Sequence, residues 1–576
     1  MARLFATARS SNASDWHFDS RFYIANVMEV FERLAWYGFF AVSSIYMTTP
    51  KSQGGIGFSE VERGAVQGII PFFLYLLPVL TGALGDKLGY RKMFLFSFSL
   101  MAPGYFILGQ ANSFWAFFGA LSLVALGAAC FKPVVVGTIS HCTNDRNRGL
   151  GFGIFYTMVN VGGFIGPMIA GAMRAISWDA VFMMSAGWIL INFLPVLFFY
   201  RDPPTLNRQK SSFKDTVKQA QHVLGNARLA LLLAVSILLL MAAGVQWMSY
   251  SLAFLAIAAW AVINVLWNKL AGGDEHKARW WQEKIRVSNP RFALYLLILT
   301  GFWTVYNQLF YTLPLYIRDF VDTRDLLSII GLFGDGAINF FAFVDSGQIQ
   351  TNVQALFSQL QQGVEINIES LRLQWVHDKI NVPASELTVL VNELSVISGL
   401  QTELRTEQVA DFSQRLISFR QINPEYLINL DFAAIVLAQI AVSALCQRFK
   451  TFYVLSVGLV VMVIAFVVLM ASGMYTSGVM VVTVILLIAL AEMLTSPKSQ
   501  EYVASIADKS QAALYMGYYF VSMALGFLFA GFLSGWSYAE LTLAMHRPEL
   551  MWGLFATIAL ITAALLYWFH HTQPKQ

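Results

Sequence analysis

The chain has 576 residues, of which 57% are hydrophobic and 12% are charged, and its net charge of +4 is modest. Apolar stretches of about 18 residues or more recur along it, and stretches of that length are typical of helices that cross a bilayer. The sequence does not show the short segments of alternating hydrophobicity that a membrane β-barrel needs. These features exclude a set of soluble domains and predict an all-α polytopic membrane protein.

Six spans are predicted in the first 200 residues, at roughly 22–48, 60–84, 91–110, 113–140, 149–174 and 179–200. The links after the second and fourth spans are short and basic, whereas the link after the third span carries no charge. Because short positive loops stay in the cytoplasm, we expect a cytoplasmic N-terminus and a first bundle, residues 1–200, that returns to the cytoplasm at Arg201. Residues 1–20 lack the apolar core of a cleavable signal peptide.

Residues 201–288 separate this bundle from a second one. Within them, 228–270 is almost unbroken apolar sequence that is too long for one span, and a break near 244–249 predicts an inserted hairpin of two transmembrane helices. The linkers on both sides of the hairpin are rich in Lys and Arg, so we expect them on the cytoplasmic side. An amphipathic helix is predicted over 211–223.

The second bundle begins with a seventh span at 291–317, within the segment 289–317. Residues 318–428 are then too polar to span, with 14 acidic and seven basic residues between Arg318 and Glu425. Topology places this insert outside, and its apolar residues recur at helical spacing, which predicts a small extracytoplasmic helical domain with His377 on its surface. Five further spans are predicted in 429–576, at roughly 429–446, 451–472, 477–496, 511–535 and 549–570, which makes 14 in all.

The first predicted span carries charges that a lipid-facing helix would not tolerate. Glu29 lies three residues before Glu32 and four before Arg33, and Tyr37 lies one turn further, so one helix face carries all four. Each charge at membrane depth costs about 2.5–3.5 kcal/mol on insertion scales. We therefore predict that this face lines a water-filled path. The alternative is an internal Glu29–Arg33 ion pair that only tethers helices.

Lys132 and Glu492 are each the single ionisable residue of an apolar stretch, one in each half. A buried lysine needs an acid as its partner, because desolvation disfavours the charged form. We predict that the two side chains pair across the halves, and that protonation of Glu492 breaks the pair so that the halves can rock about a midplane site. A static structural bridge is the alternative.

Several motifs resemble those of the proton-dependent oligopeptide transporter family, and they occur in both halves in the family's order. The resemblance rests on Glu29-x-x-Glu32-Arg33-x-x-Trp36-Tyr37-Gly38, Tyr75-x-x-Pro78, Gly127-x-x-x-Phe131-Lys132-Pro133, Phe155-Tyr156-x-x-Val159-Asn160-x-Gly162-Gly163, Phe302-Trp303-x-x-x-x-Gln308 and Glu492-x-x-x-Ser496-Pro497. The turn Asp86-Lys87-x-Gly89-x-Arg91-Lys92 resembles the loop signature of the major facilitator superfamily. The resemblance covers the spans but not the insert.

This resemblance implies a major facilitator fold of two six-helix bundles, and a proton-coupled symporter that imports di- or tripeptides, or peptide-like solutes, by alternating access. It implies proton coupling by Glu29, Glu32, Arg33, Lys132 and Glu492, and a gating role for the loop residues Asp86, Lys87, Gly89 and Arg91. The carboxylate of the solute would meet Arg33 and Lys132. Its amino end would meet Asn160, Glu492 and an eighth-helix asparagine, for which Asn429 is preferred over Asn423. The residues that would complete the binding site are Tyr37, Tyr75, Asn307, Gln308 and Ser496.

Departures from the family pattern leave the solute open. Asn307 stands where peptide-transporting members usually have an acid, Trp36 replaces the first tyrosine of a pair, and Lys498-Ser499-Gln500 replaces an apolar stretch. A carrier of another small organic or anionic solute is therefore an alternative, and so is a sensor that signals through the insert without transport. The chain is not expected to be an enzyme, and no cofactor or metal is implied.

The expected partners are protons, the solute and the lipid bilayer, together with an unidentified partner for the insert. No nucleic acid is expected. The resemblance and the topology together predict a monomer that spans the cytoplasmic membrane of a bacterium many times.

Overall fold

The computed structural model describes residues 17–144, 147–203, 225–271, 280–400, 403–473, 476–506 and 512–572, and its regular structure is almost entirely helical. The helices of the first half are α1 (Ser20–Thr48), α2 (Glu60–Leu76), α3 (Pro78–Leu88), α4 (Tyr90–Gln110), α5 (Phe114–His141), α6 (Arg148–Ile176), α7 (Trp178–Ile191) and α8 (Phe193–Phe198). They cover the six predicted spans of this half. The second and the sixth predicted spans are each divided into two helices.

Side-chain caps set where several of these helices begin. The hydroxyl of Ser59 accepts a hydrogen bond from the Glu62 N–H, and the Glu62 carboxylate accepts one from the Ser59 N–H, which forms a capping box at the start of α2. Ser113 and Ser177 cap α5 and α7 with one bond each. Because caps satisfy N–H groups that a helix end leaves unpaired, polar residues in the short links fix the span boundaries.

The inserted hairpin consists of α9 (Ala227–Gly244) and α10 (Tyr250–Leu270), and the chain reverses at the predicted break. Arg228 is buried at the start of α9, where its guanidinium lies 3.7 Å from the centroid of the Trp267 ring and donates to the Glu283 carbonyl. The ring contact joins the two helices of the hairpin, and the hydrogen bond joins the hairpin to the linker that follows it. The amphipathic helix predicted over 211–223 lies outside the described residues.

The seventh predicted span is a broken helix. It is divided into α11 (Pro290–Tyr306), α12 (Gln308–Tyr311) and α13 (Leu313–Phe320), with breaks at Asn307 and Thr312. Pro314 lies in the first turn of α13, where its missing N–H costs nothing, so the chain restarts as a helix after the second break.

The insert, residues 318–428, forms helices around an apolar cluster of its own. Its helices are α14 (Arg324–Ile330), α15 (Asp335–Phe341), α16 (Ser346–Gln361), α17 (Ile368–His377), α18 (Ala384–Leu400) and α19 (Thr406–Ile417). Apolar residues of α16 to α19, among them Val353, Trp375 and Leu394, pack into a cluster separate from that of the helix bundles. His377 is half-buried rather than on the surface, and burial lowers its pKa to about 4.

The remaining helices complete the second half. They are α20 (Pro424–Ile428), α21 (Leu430–Cys446), α22 (Thr451–Ser472), α23 (Gly478–Ile506), α24 (Ala512–Ser537), which continues as a π-helix at Tyr538–Ala544, and α25 (Pro548–His571). The helix α23 runs ten residues beyond the predicted end at 496, because Pro497 is accommodated within it.

A short neck joins the insert to the bundle. The strands β1 (Val321–Asp322) and β2 (Thr476–Ser477) pair in parallel. Thr323 donates its backbone N–H and its hydroxyl to the side-chain oxygen of Gln421, at 2.6 and 2.8 Å. Asp325 accepts from the N–H groups of Gly478 and Val479 at the start of α23. The neck therefore contributes caps and hydrogen bonds to the bundle itself.

The outer part of the insert should be removable without unfolding the bundles, because its apolar cluster is separate from theirs. Replacing residues 344–420 with a short Gly/Ser linker keeps Thr323, Asp325 and Gln421, and the Asn423 N–H already lies 2.9 Å from the Phe341 carbonyl. We expect the thermal midpoint of the purified protein to fall by less than about 4 °C, the shift that roughly 1 kcal/mol produces in a mid-sized domain.

Excision of 323–418 provides the comparison for this deletion. It removes Thr323 and Asp325 and with them the neck bonds, so we expect a larger fall in the thermal midpoint. If both deletions destabilise the protein equally, the neck does not have the structural role assigned to it.

Twelve helices or helix runs of the described chain are long and apolar enough to cross a membrane, and up to 13 when the bent pair α2–α3 is included. The helix α1 is also long enough, at 29 residues, but it carries the three charges of the first predicted span. With α1 added, each of the 14 predicted spans has its helix. The prediction of an all-α membrane protein with two six-helix bundles is confirmed.

The two halves are fastened together at the end of the bundles that carries the insert, called the insert side below. Gly64 and Gly68 of α2 face Gly531 and Gly535 of α24 so closely that an added Cβ on Gly64 or Gly531 would collide with the opposite backbone. These four residues are called the glycine seam. Small residues of this kind allow two membrane helices to pack backbone against backbone.

Polar contacts between the halves are also found on the insert side. Arg318 of the second half donates to the Thr48 hydroxyl at 2.9 Å, and Gln53, in the link between α1 and α2, donates to Asp378 of the insert at 3.2 Å. The opposite end, which carries the 82–92 turn, is called the linker side. Within the described ranges, the hydrogen bonds and ion pairs that join the halves lie on the insert side or at mid-depth, so the cleft between them is closed on the insert side.

Candidate solute and proton site

The charged face of α1 forms a buried triad. The Arg33 guanidinium pairs with Glu29, with 3.1 Å between Nε and Oε1, and also with Glu32, and all three side chains are more than nine-tenths buried. Pairing of this kind is what makes buried charge tolerable, because attraction between the groups offsets their desolvation. An added Cβ on Gly162 of α6 would lie 2.5 Å from the Arg33 Cβ, so the motif glycine allows α6 to approach the triad.

Lys132 lies against an aromatic ring rather than against an acid. Its Nζ is 4.1 Å from the centroid of the Tyr75 ring, and that ring stacks on Phe527 of α24 with 4.9 Å between centroids. A cation above a tyrosine face is attracted by the ring quadrupole. Tyr37 forms a second aromatic link, 4.8 Å from the Phe432 ring of α21. Both predicted pocket tyrosines therefore stand between the cations of the first half and the wall of the second half.

The predicted direct pair between Lys132 and Glu492 is not formed. Glu492 accepts a hydrogen bond of 2.6 Å from the Tyr306 hydroxyl, while Lys132 faces Tyr75. The Tyr75 ring occupies the space beside Lys132, so the two charges stay on separate walls. This part of the prediction is wrong for the conformation observed.

The predicted amide and hydroxyl residues are engaged by the helices around them. Asn160 and Asn307 donate to carbonyl groups four residues earlier, at 2.8 and 2.7 Å. Gln308 donates to a carbonyl of its own helix run and to one of α24. Ser496 is buried, and its carbonyl accepts from the Ser499 hydroxyl. Gln308 therefore links the seventh span to α24, whereas Asn160, Asn307 and Ser496 bond within their own helices in this conformation.

Of the two eighth-helix candidates, Asn429 lies near the middle of the bundle and Asn423 does not. Asn429 donates to the Phe164 carbonyl of α6 at 2.8 Å, one turn from Asn160. The N–H of Asn423 donates to the Phe341 carbonyl in the neck of the insert. Asn429 therefore bridges the two halves, and its place in the binding site stays a prediction.

Sequence reasoning misses two residues beside Glu492. Asp431 of α21 is fully buried, and one of its carboxyl oxygens lies 3.2 Å from the same Tyr306 hydroxyl that Glu492 contacts. Asp431 is the one acid in the apolar run 430–446, so the argument that singles out Glu492 applies to it equally. Tyr306 has no such signal, because a tyrosine in an apolar helix is ordinary.

A third missed residue closes the insert side. Arg63 of α2 is fully buried and pairs with Glu60 at 2.7 Å. It also donates to Gln67 of its own helix and to the Ser534 hydroxyl of α24, at 2.7 and 3.0 Å. Glu60 and Arg63 lie within the second predicted span, and their spacing of three residues places them on one helix face.

Arg91 anchors the loop that resembles the superfamily signature. Its backbone N–H donates to the Asp202 carboxylate at 2.7 Å, and its guanidinium donates to the Leu197 carbonyl at 2.9 Å. These bonds connect the start of the third span to the end of the sixth. The loop is therefore held within one half of the protein.

The other loop residues have local contacts. Asp86 accepts from the Tyr90 hydroxyl at 2.9 Å and does not cap a neighbouring helix. Gly89 has a φ of +96°, which favours glycine over residues with a Cβ. Lys87 is exposed. Asp86 thus fixes the turn itself rather than a contact between bundles.

The arrangement offers paired charge on two walls. Arg33 and Lys132 belong to the first half, whereas Glu492 and Asp431 belong to the second. A solute with a carboxylate at one end and an amine at the other would meet the complementary charge at both ends. In the part of the chain that the structure describes, no group of three or more His, Cys, Asp or Glu side chains could hold a metal ion.

The sequence profile of the Major Facilitator Superfamily matches residues 28–350 and 398–576, and the unmatched stretch between them falls in the insert. Peptide transporter YePEPT of Yersinia enterocolitica is 30% identical over 173 residues, which are 29% of this chain and 34% of that protein. A di-/tripeptide transporter of Lactococcus lactis is 27% identical over 199 residues, 33% of this chain and 39% of that protein. The matched parts therefore span only about a third of the length of these curated relatives.

Solved structures share the fold over nearly the whole chain. The crystal structure of a POT family transporter in complex with 5-aminolevulinic acid matches with a TM-score of 0.62, covering 96% of each chain at 14% identity. This likeness extends over both halves, and the superfamily profile covers most of the sequence. The chain is an integral, multi-pass membrane protein that belongs to the Major Facilitator Superfamily and has the fold of the POT family transporters that its motifs resemble.

Proposed function

We propose that the protein is a proton-coupled symporter that imports di- or tripeptides, or peptide-like solutes, by alternating access. The observation that carries the proposal is the division of charge across the site, with Arg33 and Lys132 on one wall and Glu492 on the other. A zwitterionic peptide presents a carboxylate and an ammonium group that match these walls. The peptide transporters among the relatives support the same class of solute.

In this proposal the linker side faces the cytoplasm of a bacterium, with the N-terminus inside and the insert outside. The basic residues of the linkers and of the 82–92 turn support this orientation. The conformation described, closed on the insert side, is then the inward-facing one. A proton that moves inward gains about 2.3 kcal/mol per 100 mV of membrane potential, which is the energy available to concentrate solute. The protein acts as a monomer.

Uptake into reconstituted vesicles tests the function. Labelled dipeptide should accumulate when the outside is acidic and the inside is negative, and it should equilibrate without accumulation when both gradients are absent. Binding of the dipeptide without any uptake would instead show a sensor. Accumulation that does not respond to the proton gradient would contradict the coupling.

The variant Glu492→Gln should equilibrate labelled dipeptide but not concentrate it, because an amide cannot take up a proton. The accumulation ratio at 100 mV should fall by up to roughly 50-fold, the ratio that one charge can drive at that potential. The matched control is Glu501→Gln, the same chemical change on the same helix at a side chain that is 56% exposed. The control should accumulate dipeptide like the unmodified protein, and an equal loss in both variants would contradict the assignment of Glu492.

A second candidate function is transport of another small amphoteric solute. Asn307 replaces the acid that peptide-transporting members usually carry, and one structural neighbour was solved with 5-aminolevulinic acid, which has an amine and a carboxylate but no peptide bond. Competition against labelled dipeptide separates the two functions. A non-peptide amino acid that competes at lower concentration than any di- or tripeptide would favour the second candidate.

A further inference from the structure

Two carboxyl groups of the second half share a single hydroxyl group. Tyr306 of α11 places its hydroxyl 2.6 Å from Glu492 Oε2 of α23 and 3.2 Å from Asp431 Oδ2 of α21. Asp431 is completely buried, and its other carboxyl oxygen has no hydrogen-bond partner. Three helices of one bundle therefore converge on this cluster, called the carboxyl pair below.

The number of hydrogens in the cluster is limited. A phenol carries one hydrogen and can donate it to one acceptor at a time, and an ionised carboxyl group can only accept. If both acids were ionised, one of the two oxygen–oxygen contacts would have no hydrogen in it, and two negative charges would face each other away from water. If one acid is protonated, it donates to the tyrosine oxygen while the tyrosine donates to the other acid, and both contacts become hydrogen bonds.

The surroundings supply no cation that would remove this conflict. Among the described residues, no lysine or arginine forms an ion pair with Asp431 or Glu492, since Arg33 is engaged by Glu29 and Glu32 and Lys132 lies on Tyr75. The titratable groups of the other helices that interact electrostatically with Glu492 are phenols, contributed by α1, α2, α6 and α24: Tyr37, Tyr75, Tyr156 and Tyr519. Phenols are neutral near pH 7, so they do not balance a second negative charge.

We propose that Asp431 is a second proton-binding residue of this carrier, and that it shares one proton with Glu492 through Tyr306. The inference rests on the proposed function as far as transport is concerned, but the shared proton itself does not depend on which solute is carried. Asp431 then supplies the acid that is absent at Asn307, because Tyr306, the residue before Asn307, contacts the Asp431 carboxyl group. In the symport cycle the carboxyl pair holds this proton while the solute crosses and releases it on the linker side.

A direct test detects the proton without any solute. Infrared spectra of the purified protein, recorded as pH is raised, should show the loss of a protonated-carboxyl band, and this band should be missing from Asp431→Asn or shifted in frequency. Tyr306→Phe should shift the same band, because the shared hydrogen bond is removed. A band unchanged in both variants would show that the carboxyl pair does not hold the proton and would overturn the proposal.

A second test measures coupling. Proton and dipeptide fluxes are followed together in vesicles that contain a pH-sensitive dye. Asp431→Asn should move one proton fewer with each dipeptide that crosses, so that accumulation at 100 mV falls by up to roughly 50-fold. The control is Asp325→Asn, an acid that caps α23 outside the site, for which we expect unchanged stoichiometry. Unchanged stoichiometry in Asp431→Asn would contradict a coupling role.

The two tests separate the failure of this inference from that of the proposed function. If the unmodified protein takes up no dipeptide but the infrared band responds to Asp431→Asn, the shared proton is supported and the proposed solute is contradicted. If protons drive dipeptide uptake but Asp431→Asn changes neither the band nor the stoichiometry, the proposed transport function is supported and the proton shared by the carboxyl pair is contradicted. Size-exclusion profiles of each variant establish that it is folded.

Discussion

Arg33→Leu is expected to abolish proton-driven uptake and to lower the stability of the protein by about 3–5 kcal/mol, the usual cost of removing one partner from a buried ion pair. The substitution removes the arginine that forms ion pairs with both Glu29 and Glu32, and it leaves these two acids buried. Thermal unfolding in detergent measures the stability, and vesicle uptake of labelled dipeptide measures the activity. Leucine fills much of the space of the arginine side chain, so the loss reports on charge more than on volume.

The control for this prediction is Arg415→Leu, which removes an arginine from an ion pair with Glu393 in the insert. Both side chains of that pair are at least 40% exposed, so the pair contributes less than about 1 kcal/mol. The control should unfold within a few degrees of the unmodified protein and should keep its uptake. If Arg33→Leu behaves like this control, the triad is not the structural and functional centre inferred from its burial.

Gly531→Leu is expected to open the insert side. An added Cβ at Gly531 would already collide with the backbone of Gly64 and Gly68, and a full leucine side chain enlarges the conflict. Overpacking costs about 1–3 kcal/mol. Because the collision exists only in the closed state, that cost shifts the ratio of closed to open forms by roughly 5- to 150-fold. Uptake should fall by up to about 150-fold, since the cycle requires closure on this side.

A cysteine at Ala65 measures this opening directly, in a background without the native cysteines. Ala65 is fully buried between α2 and α24, so a membrane-impermeant maleimide should label it slowly in the parent and faster with Gly531→Leu. Gly119→Leu is the control, because an added Cβ there meets no atom within 4 Å. Equal labelling rates with and without Gly531→Leu would show that the glycine seam is not the contact that closes this side.

The spans and the insert follow from the sequence because their causes are local. A stretch of apolar residues that matches the bilayer thickness forms a helix almost wherever it occurs, and the polar insert has apolar residues at helical spacing that pack against one another. The charged motif of α1 is predictable for the same reason. Its residues are neighbours in the sequence, so their pairing requires nothing beyond helix geometry.

Contacts between the halves are less predictable, because one sequence must support more than one arrangement of the two bundles. The expected pairing of Lys132 with Glu492 depends on how far the halves have closed, and in the arrangement described the two residues contact Tyr75 and Tyr306 instead. Asn160 and Asn307 similarly bond within their own helices. The spacing of residues in the sequence does not predict which of these partners a side chain contacts in a given conformation.

Asp431 shows a different kind of omission. Its signal is present in the sequence, as a lone acid in an apolar run, but a family resemblance directs attention to the residues that match a motif and away from those that do not. In the structure, Asp431 and Glu492 both contact the hydroxyl of Tyr306. Tyr306 is far from both acids in the sequence, so the sequence around either acid does not indicate this contact. A count of unpaired ionisable residues in each span, made before any comparison of motifs, finds such residues.

With the insert outside the cell, as proposed above, molecules that bind the insert from outside can affect the transport cycle. The insert is covalently part of the second half, yet Gln53 of the first half bonds to its Asp378. Separation of the halves on that side has to break this contact and carry the insert away from the first half. An antibody fragment that binds across Gln53 and Asp378 would therefore hold the two halves together on that side. It should inhibit transport without competing with the solute for its binding site.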